Sequence, residues 1–320
     1  MQRRDFIKGS TLGFGALLTG VAGTACTSVK EAEETVSKAV EKGKSRKQLF
    51  NMCGYAAPAI PTVRIGYVGI GSRGSWAVTR MMNVKDVEVT ALCDLNEGAV
   101  KRNQETLQRF NRRPAKEYFG DDYSWKQLCE QDDIDLVYIA TPWKWHTPIA
   151  VYAMECGKHV AVEVPAAGTL EDCWQLVETS ERTKKHCMQL ENCCYDFFEI
   201  LTVNMVQKGL FGEVIHGEGA YIHELLSGMF GEPQWPTWRW DENHKSGNPY
   251  PTHGLGPVCW AMNINRGDKM EYMTSMSTDD FLMEAKAKEL AVQNDYYKPM
   301  AAMKYRGNMN TSTVRTAKGL

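Results

Sequence analysis

An apolar run that ends on a glycine-rich turn, Val63-Arg64-Ile65-Gly66-Tyr67-Val68-Gly69-Ile70-Gly71-Ser72-Arg73-Gly74, constrains this chain more than any other segment. The run reads as a buried strand and the turn as the entrance to a helix. In the pattern Gly69-x-Gly71-x-x-Gly74 the first glycine permits a tight turn and the second lets backbone approach a pyrophosphate. The third lets the helix pack closely on the strand, with its first N–H groups aimed at phosphate. Alone the pattern is weak, but a second apolar strand, Val87–Cys93, ends in Asp94, twenty residues beyond Gly74. A carboxylate there accepts both hydroxyls of a ribose. The segment therefore predicts a dinucleotide site, with Ser72 and Arg73 beside the phosphates and Asp94 favouring NAD.

From residue 61 the hydrophobic pattern alternates between short apolar runs and helical periodicity. Strands are expected at Val63–Val68, Val87–Cys93, Leu136–Ile139, 159–162 and 187–191, with helices at 75–83, 97–110, 123–130, 148–156 and 170–184. Strand, crossover helix, strand implies a parallel sheet. The character changes after Tyr195: a helix at 197–208, a strand at 213–223, then a stretch rich in Trp, Pro, Gly and Asn up to Pro257. Residues 225–250 are too long and too aromatic for a mere connector, and such a stretch usually lines a site. Asn310–Thr316 reads as a last strand, after which the sheet looks incomplete. The expected fold is α/β, a Rossmann doubly wound parallel sheet over 61–192, followed by an α+β domain with an open mixed sheet over 193–320.

The N-terminus carries Arg3-Arg4-Asp5-Phe6-Ile7-Lys8 ahead of a modest apolar run that ends at Gly23-Thr24-Ala25-Cys26. It resembles a twin-arginine export signal over 1–26, either of lipoprotein type with lipid on Cys26, hence membrane-attached, or an ordinary export peptide cut nearby. Residues 27–60 then form a charged, alanine-rich helical spacer. The expected location is the periplasm or its membrane face. The formal charge of −2 provides no long-range field for nucleic acid. Ten cysteines show no regular framework, and neither Cys-x-x-Cys nor His-Glu-x-x-His occurs, so no metal is expected.

Thr141-Pro142-Trp143-Lys144-Trp145-His146, then Ala150, Ala153, Gly157-Lys158-His159-Val160 and Glu163-Val164-Pro165 complete a recognisable series. With the glycine turn and Asp94 it resembles the glucose–fructose oxidoreductase and inositol dehydrogenase superfamily. The resemblance implies nicotinamide between the two domains, with Trp143 and His146 near its ribose, Glu163 and Val164 below its ring, and Asn192 on the cofactor side. Two departures matter. The superfamily's dehydrogenases have Glu-Lys-Pro, and their lysine bonds the hydroxyl being oxidised; Val164 cannot. They also carry an Asp-x-x-x-His pair, of which Tyr250-Pro251-Thr252-His253-Gly254-Leu255-Gly256-Pro257 keeps only a histidine in either register.

These losses, with Glu191-Asn192-Cys193-Cys194-Tyr195, Trp238-Arg239-Trp240 and Asn248-Pro249-Tyr250-Pro251-Thr252-His253, resemble glycoside hydrolase family 109, known for NAD-dependent α-N-acetylgalactosaminidases. The implied reaction needs no carboxylate pair: NAD takes hydride from sugar C3, a base removes the acidified C2 proton, the aglycone leaves, water adds, and C3 is reduced again. A net sugar or polyol dehydrogenase is the alternative. His253, expected in a proline- and glycine-framed loop, is the first choice for acid/base, because histidine is the side-chain type that exchanges protons near neutral pH. Tyr195 is expected as a proton relay. Tyr221, Arg239 and Tyr250 are the expected contacts to a small carbohydrate or glycan, and strand alternation puts Tyr221 and His223 on one face. The open sheet is the expected surface for homo-oligomers. Family members continue past residue 320 with a further substrate-contacting tyrosine, so the chain reads as incomplete.

Overall fold

A computed structural model of the chain describes residues 46–234, 236–244 and 247–320, together with residues 38, 41, 43 and 45. The expected export signal and Cys26 lie outside the described residues. Among the described residues no helix is long and apolar enough to cross a membrane. The end of the spacer folds back on the body: the Arg46 guanidinium lies 4.7 Å from the Trp174 ring centroid and the Leu49 N–H donates to Glu181 Oε2 at 2.8 Å.

The first body contains β1 (Val63–Val68), α1 (Arg73–Met81), β2 (Val87–Cys93), α2 (Glu97–Arg109), β3 (Lys116–Tyr118), α3 (Ser124–Cys129), β4 (Leu136–Ile139), α4 (His146–Glu155), β5 (His159–Glu163), α5 (Leu170–Thr183) and β6 (Cys187–Leu190). Its six strands are all parallel, in the order β3-β2-β1-β4-β5-β6. Such a sheet forms because both faces are covered. Ile65, Tyr67, Val78, Val89, Leu92 and Leu107 pack on one side, and Ala91, Leu128, Val137, Ile139, Ile149 and Val160 on the other. Strands buried on both faces read as continuous apolar runs, which is why β1, β2 and β4 are legible. The order reverses between β1 and β4, and the crevice at a reversal is where open α/β sheets bind ligands.

The second body holds α6 (Phe197–Gln207), the one-turn helices α7 (Leu226–Met229) and α8 (Arg239–Glu242), α9 (Thr252–Ala261), β7 (Met270–Ser277), α10 (Met283–Gln293), α11 (Lys298–Ala301) and β8 (Asn310–Thr316). β7 and β8 form a separate antiparallel pair in which Thr274 faces Thr313. Phe230, Met283, Ala287, Tyr297 and Met300 make a small core around α10 and α11.

Two expectations need correction. The strand expected over 213–223 does not form; the segment has no ladder among the described residues, and a strand exists only through a paired neighbour. Its glycines bring it against α9 instead. A Cβ on Gly219 would stand 2.3 Å from the Gly254 carbonyl oxygen, and one on Gly217 would stand 2.9 Å from Val258 and Met262. The second body's sheet is the antiparallel β7–β8 pair among the described residues. The loop expected around His253 is likewise the first turn of α9. Pro257 sits inside that helix and has no N–H to give the His253 carbonyl, so the helix rests on packing rather than on a complete internal ladder.

Candidate active site

At the crevice, Gly69 has φ +81°, and a Cβ there would stand 2.7 Å from the Ala140 carbonyl and the Thr141 nitrogen, where β4 ends. A Cβ on Gly74 would come within 1.9 Å of the Gly69 oxygen, so α1 can start this close only without a side chain. Above Gly71 there is open space, and Ser72 at the helix entrance makes no side-chain cap. The first N–H groups of α1 are therefore available to an anion. Asp94 Oδ2 accepts from the Ile70 N–H at 2.8 Å and Oδ1 from the Asn96 N–H at 2.9 Å, which fixes the carboxylate beside the turn with lone pairs left for ribose hydroxyls. A hollow of about 890 Å³ opens beside Gly71 and Ser72, with Arg102 and Arg109 on its wall. Bare turn, open helix end and fixed carboxylate together fit a dinucleotide.

Glu163, at the end of β5, closes the crevice from the other side. Its Oε1 accepts from Tyr138 Oη at 2.9 Å and lies 3.7 Å from Arg73 Nε, so the glycine turn and the next strand end share one carboxylate. Val164 beside it is only 2% exposed and offers no polar atom. His146, expected at the nicotinamide ribose, is 1% exposed, and its ring nitrogens lie 2.7 and 2.8 Å from the carbonyls of Pro165 and Thr141. That expectation is corrected: both ring nitrogens face backbone carbonyls, one of which accepts the single N–H of the neutral ring, and the imidazole packs between the ends of β4 and β5. Burial pushes its pKa down.

The chemistry gathers where β6 meets α9. Glu191 follows β6 and caps the short turn Asn192–Cys194, its Oε1 accepting from the Cys193 N–H at 3.0 Å. The same oxygen lies 2.6 Å from His253 Nδ1 in the first turn of α9, and both side chains are under a tenth exposed. A Cβ on Gly256 would stand 3.0 Å from Glu191 Cγ and 3.2 Å from Cys194 Sγ, so α9 needs a bare backbone to seat its histidine here. Cys193 Sγ is 3.5 Å from His253 Nδ1. The acceptor Glu191 fixes the proton on Nδ1 and leaves Nε2 as the free nitrogen, with no hydrogen bond to another described residue.

Aromatic rings extend from this pair. Tyr250 meets His253 edge-on with centroids 4.6 Å apart, Tyr221 lies 5.2 Å from His253 and 5.0 Å from Tyr250, and Trp143 stacks on Tyr250 at 5.2 Å. Trp238 meets Trp143 edge-on at 5.1 Å and carries the Arg239 guanidinium 5.0 Å from its centroid. Tyr221 Oη and His223 Nδ1 are 2.8 Å apart, so the two share a side even without a ladder. Burial pushes the Tyr250 phenol up to about 12, with Tyr221 adding to the effect, so it is a proton donor at neutral pH. The structure thus brings together Trp143, Tyr221, Arg239, Tyr250 and His253. Tyr195 is 51% exposed and lies 5.3 Å from Trp260, outside this wall, and Asn192 is exposed. Sequence reasoning gave Glu191 no role; the signal was a carboxylate at the carboxyl end of a strand, the edge where such sheets place ligands.

Residues 195–320 match the family model for the C-terminal domain of glycosyl hydrolase 109. The chain belongs to glycoside hydrolase family 109. Residues 63–190 match the oxidoreductase family with NAD-binding Rossmann fold, and the first body of this family 109 chain is an NAD-binding domain. It is 47% identical over 276 residues to glycosyl hydrolase family 109 protein 2 of Phocaeicola vulgatus, covering 84% of this chain and 66% of that protein. It is also 47% identical over 276 residues to an alpha-N-acetylgalactosaminidase of Bacteroides fragilis, covering 84% of this chain and 64% of the relative. The chain thus spans slightly less than two thirds of these relatives. Its fold is shared with myo-inositol 2-dehydrogenase of Lactobacillus plantarum, with TM-score 0.60 and 17% identity over 81% of this chain and 68% of that one.

Proposed function

We propose that the family 109 chain cleaves α-N-acetylgalactosaminides in a cycle with no net redox change, using NAD retained at the glycine turn. The reading is carried by the His253–Glu191 pair set against an aromatic wall, while Val164, where a dehydrogenase keeps its lysine, is aliphatic and buried. The name of the Bacteroides fragilis relative points to the same sugar.

When bound, NAD supplies reversible hydride removal at sugar C3, which acidifies the neighbouring C2 proton. His253 Nε2 takes that proton while Glu191 accepts the hydrogen bond from Nδ1 and stabilises the imidazolium that forms. The same nitrogen returns the proton as water adds at C1 and C2 is reprotonated. Trp143 and Tyr250 hold the ring by its apolar face, Tyr250 donates its phenol to a hydroxyl, and Arg239 donates to the acetamido carbonyl. Tyr195, exposed at the end of the turn after Glu191, relays the proton that the added water gives up. The N-terminal Arg3-Arg4 segment exports the folded, NAD-loaded chain, and lipid on Cys26 attaches it to the membrane. Exposed Met273 and Met276 of β7 and exposed Phe197 and Phe198 of α6 supply apolar surface for self-association.

Incubating purified protein with p-nitrophenyl α-N-acetylgalactosaminide without added nucleotide tests this. Phenolate release with no lasting NADH absorbance is expected. Lasting NADH with intact glycoside would assign the chain to the dehydrogenases instead.

A further inference from the structure

Beneath the aromatic wall the donor atoms of Glu191, Cys193 and His253 all lie within 4.8 Å of one another. This places a carboxylate, a thiol and an imidazole around one point, between the turn after β6 and the first turn of α9. Glu191 Oε2 is buried and has no hydrogen-bond partner among the described residues. An unpartnered buried oxygen costs free energy unless something else binds it.

The spacing suits a tetrahedral ion. With Zn–S near 2.3 Å and Zn–N near 2.1 Å, sulfur and nitrogen on one zinc stand about 3.6 Å apart; Cys193 Sγ and His253 Nδ1 are 3.5 Å apart. Oε1 at 2.6 Å from Nδ1 is at hydrogen-bond distance, too close for two ligands of one ion, so the metal would draw on the unpartnered Oε2. One sulfur, one nitrogen and one oxygen suit zinc-class divalent cations and not magnesium or calcium, which take oxygen ligands. Three protein ligands leave a fourth position for water.

We propose that Glu191, Cys193 and His253 form a site for a zinc-class divalent cation whose binding switches His253 off. The metal takes the lone pair of Nδ1, the ring's single N–H shifts through solvent from Nδ1 to Nε2, and the Cys193 thiol proton leaves to solvent. The neutral imidazole bound through Nδ1 then carries its hydrogen on Nε2, so no lone pair remains there to accept a proton. The switch rests on the acid–base role proposed for His253, whereas the site does not.

The test uses the full chain loaded with NAD, stripped of metal with EDTA and titrated with Co²⁺. One equivalent is expected to give tetrahedral visible bands and a thiolate charge-transfer band, both removed by Zn²⁺. Cys193→Ser is expected to abolish the charge-transfer band and weaken Zn²⁺ binding at least tenfold with unchanged circular dichroism, while Cys259→Ser keeps both. Absence of the band, or its persistence in Cys193→Ser, overturns the site. In the glycosidase assay Zn²⁺ is expected to inhibit reversibly, with at least tenfold weaker inhibition of Cys193→Ser. Stoichiometric binding with undiminished hydrolysis overturns the switch. A chain that binds cobalt but hydrolyses nothing overturns the glycosidase reading and leaves the site supported.

Discussion

Glu191 Oε1 and His253 Nδ1 are 2.6 Å apart across 62 positions of sequence, joining the carboxyl end of the parallel sheet to the first turn of a helix in the second body. The contact fixes one tautomer of an imidazole whose other nitrogen is free, the arrangement in which a histidine exchanges protons with a substrate. It also makes the site dependent on both bodies.

Removing the charge while keeping the shape isolates that role. Glu191→Gln is expected to lower kcat/KM for the aryl glycoside by about 10²- to 10⁴-fold, the span that a positioned acid–base group supplies. KM and retained NAD should change little. Steady-state kinetics with extraction of bound nucleotide check this, and near-wild-type turnover would show that the carboxylate does not orient His253.

Tyr250 is expected to act through its phenol and its ring separately. Tyr250→Phe keeps the stack on Trp143 but loses one hydrogen bond, about 1 kcal/mol, and should raise KM about fivefold with kcat nearly unchanged. Trp143→Ala removes the stacked partner and should raise KM by a comparable factor, since an aromatic pair contributes about 1 kcal/mol. Because the phenol stays protonated up to about pH 12, wild-type KM should show no step from Tyr250 through the neutral range. A KM step lost in Tyr250→Phe would contradict this.

The legible part of the fold is the part that local sequence determines. Continuous apolar runs set β1, β2 and β4, and glycines in an odd conformation or a close approach mark the turn after β1. The strand β3 is three residues with two charges, Lys116-Glu117-Tyr118, and gives no pattern to read. Helix α9 carries Gly254, Gly256 and Pro257, all poor helix formers, and its two glycines let it approach Glu191, Cys194 and Gly219. His253 was legible as a residue with useful chemistry. Its partnership with Glu191 was not, because it exists only once α9 has docked.

Alkaline pH should destabilise the chain in a defined window. Burial pushes the Cys93 thiol up to about 12 and the Tyr250 phenol up to about 12. Both groups are neutral when protonated and have raised folded pKa values, so their stabilising effect is complete below their unfolded values, near 8.5 and 10. It is lost as pH rises from there towards 12. Thermal unfolding as a function of pH should show Tm falling above pH ~9, with Cys93→Ala flattening the first part of the decline. An unchanged slope in Cys93→Ala would remove the thiol as the cause.

The nucleotide site allows the sharpest separation of cofactor from catalysis. Gly74 is fixed by close approach: an added Cβ would stand 1.9 Å from the Gly69 oxygen, and that backbone atom cannot swing aside. Gly74→Ala must push α1 away from the strand, moving its first N–H groups off the pyrophosphate position, and should lose retained NAD at least tenfold along with some thermal stability. Asp94→Ala leaves the turn backbone in place but frees the N–H groups of Ile70 and Asn96 and removes the acceptor for ribose hydroxyls. NAD retention should fall with a smaller loss of Tm than in Gly74→Ala, the loss coming from the unpaired Ile70 N–H, and discrimination against NADP should weaken, because the repulsion of a 2′-phosphate by the carboxylate is gone. Measuring bound nucleotide after gel filtration alongside Tm separates the two variants. Equal loss of Tm in both would mean that Asp94 serves the fold rather than the ribose.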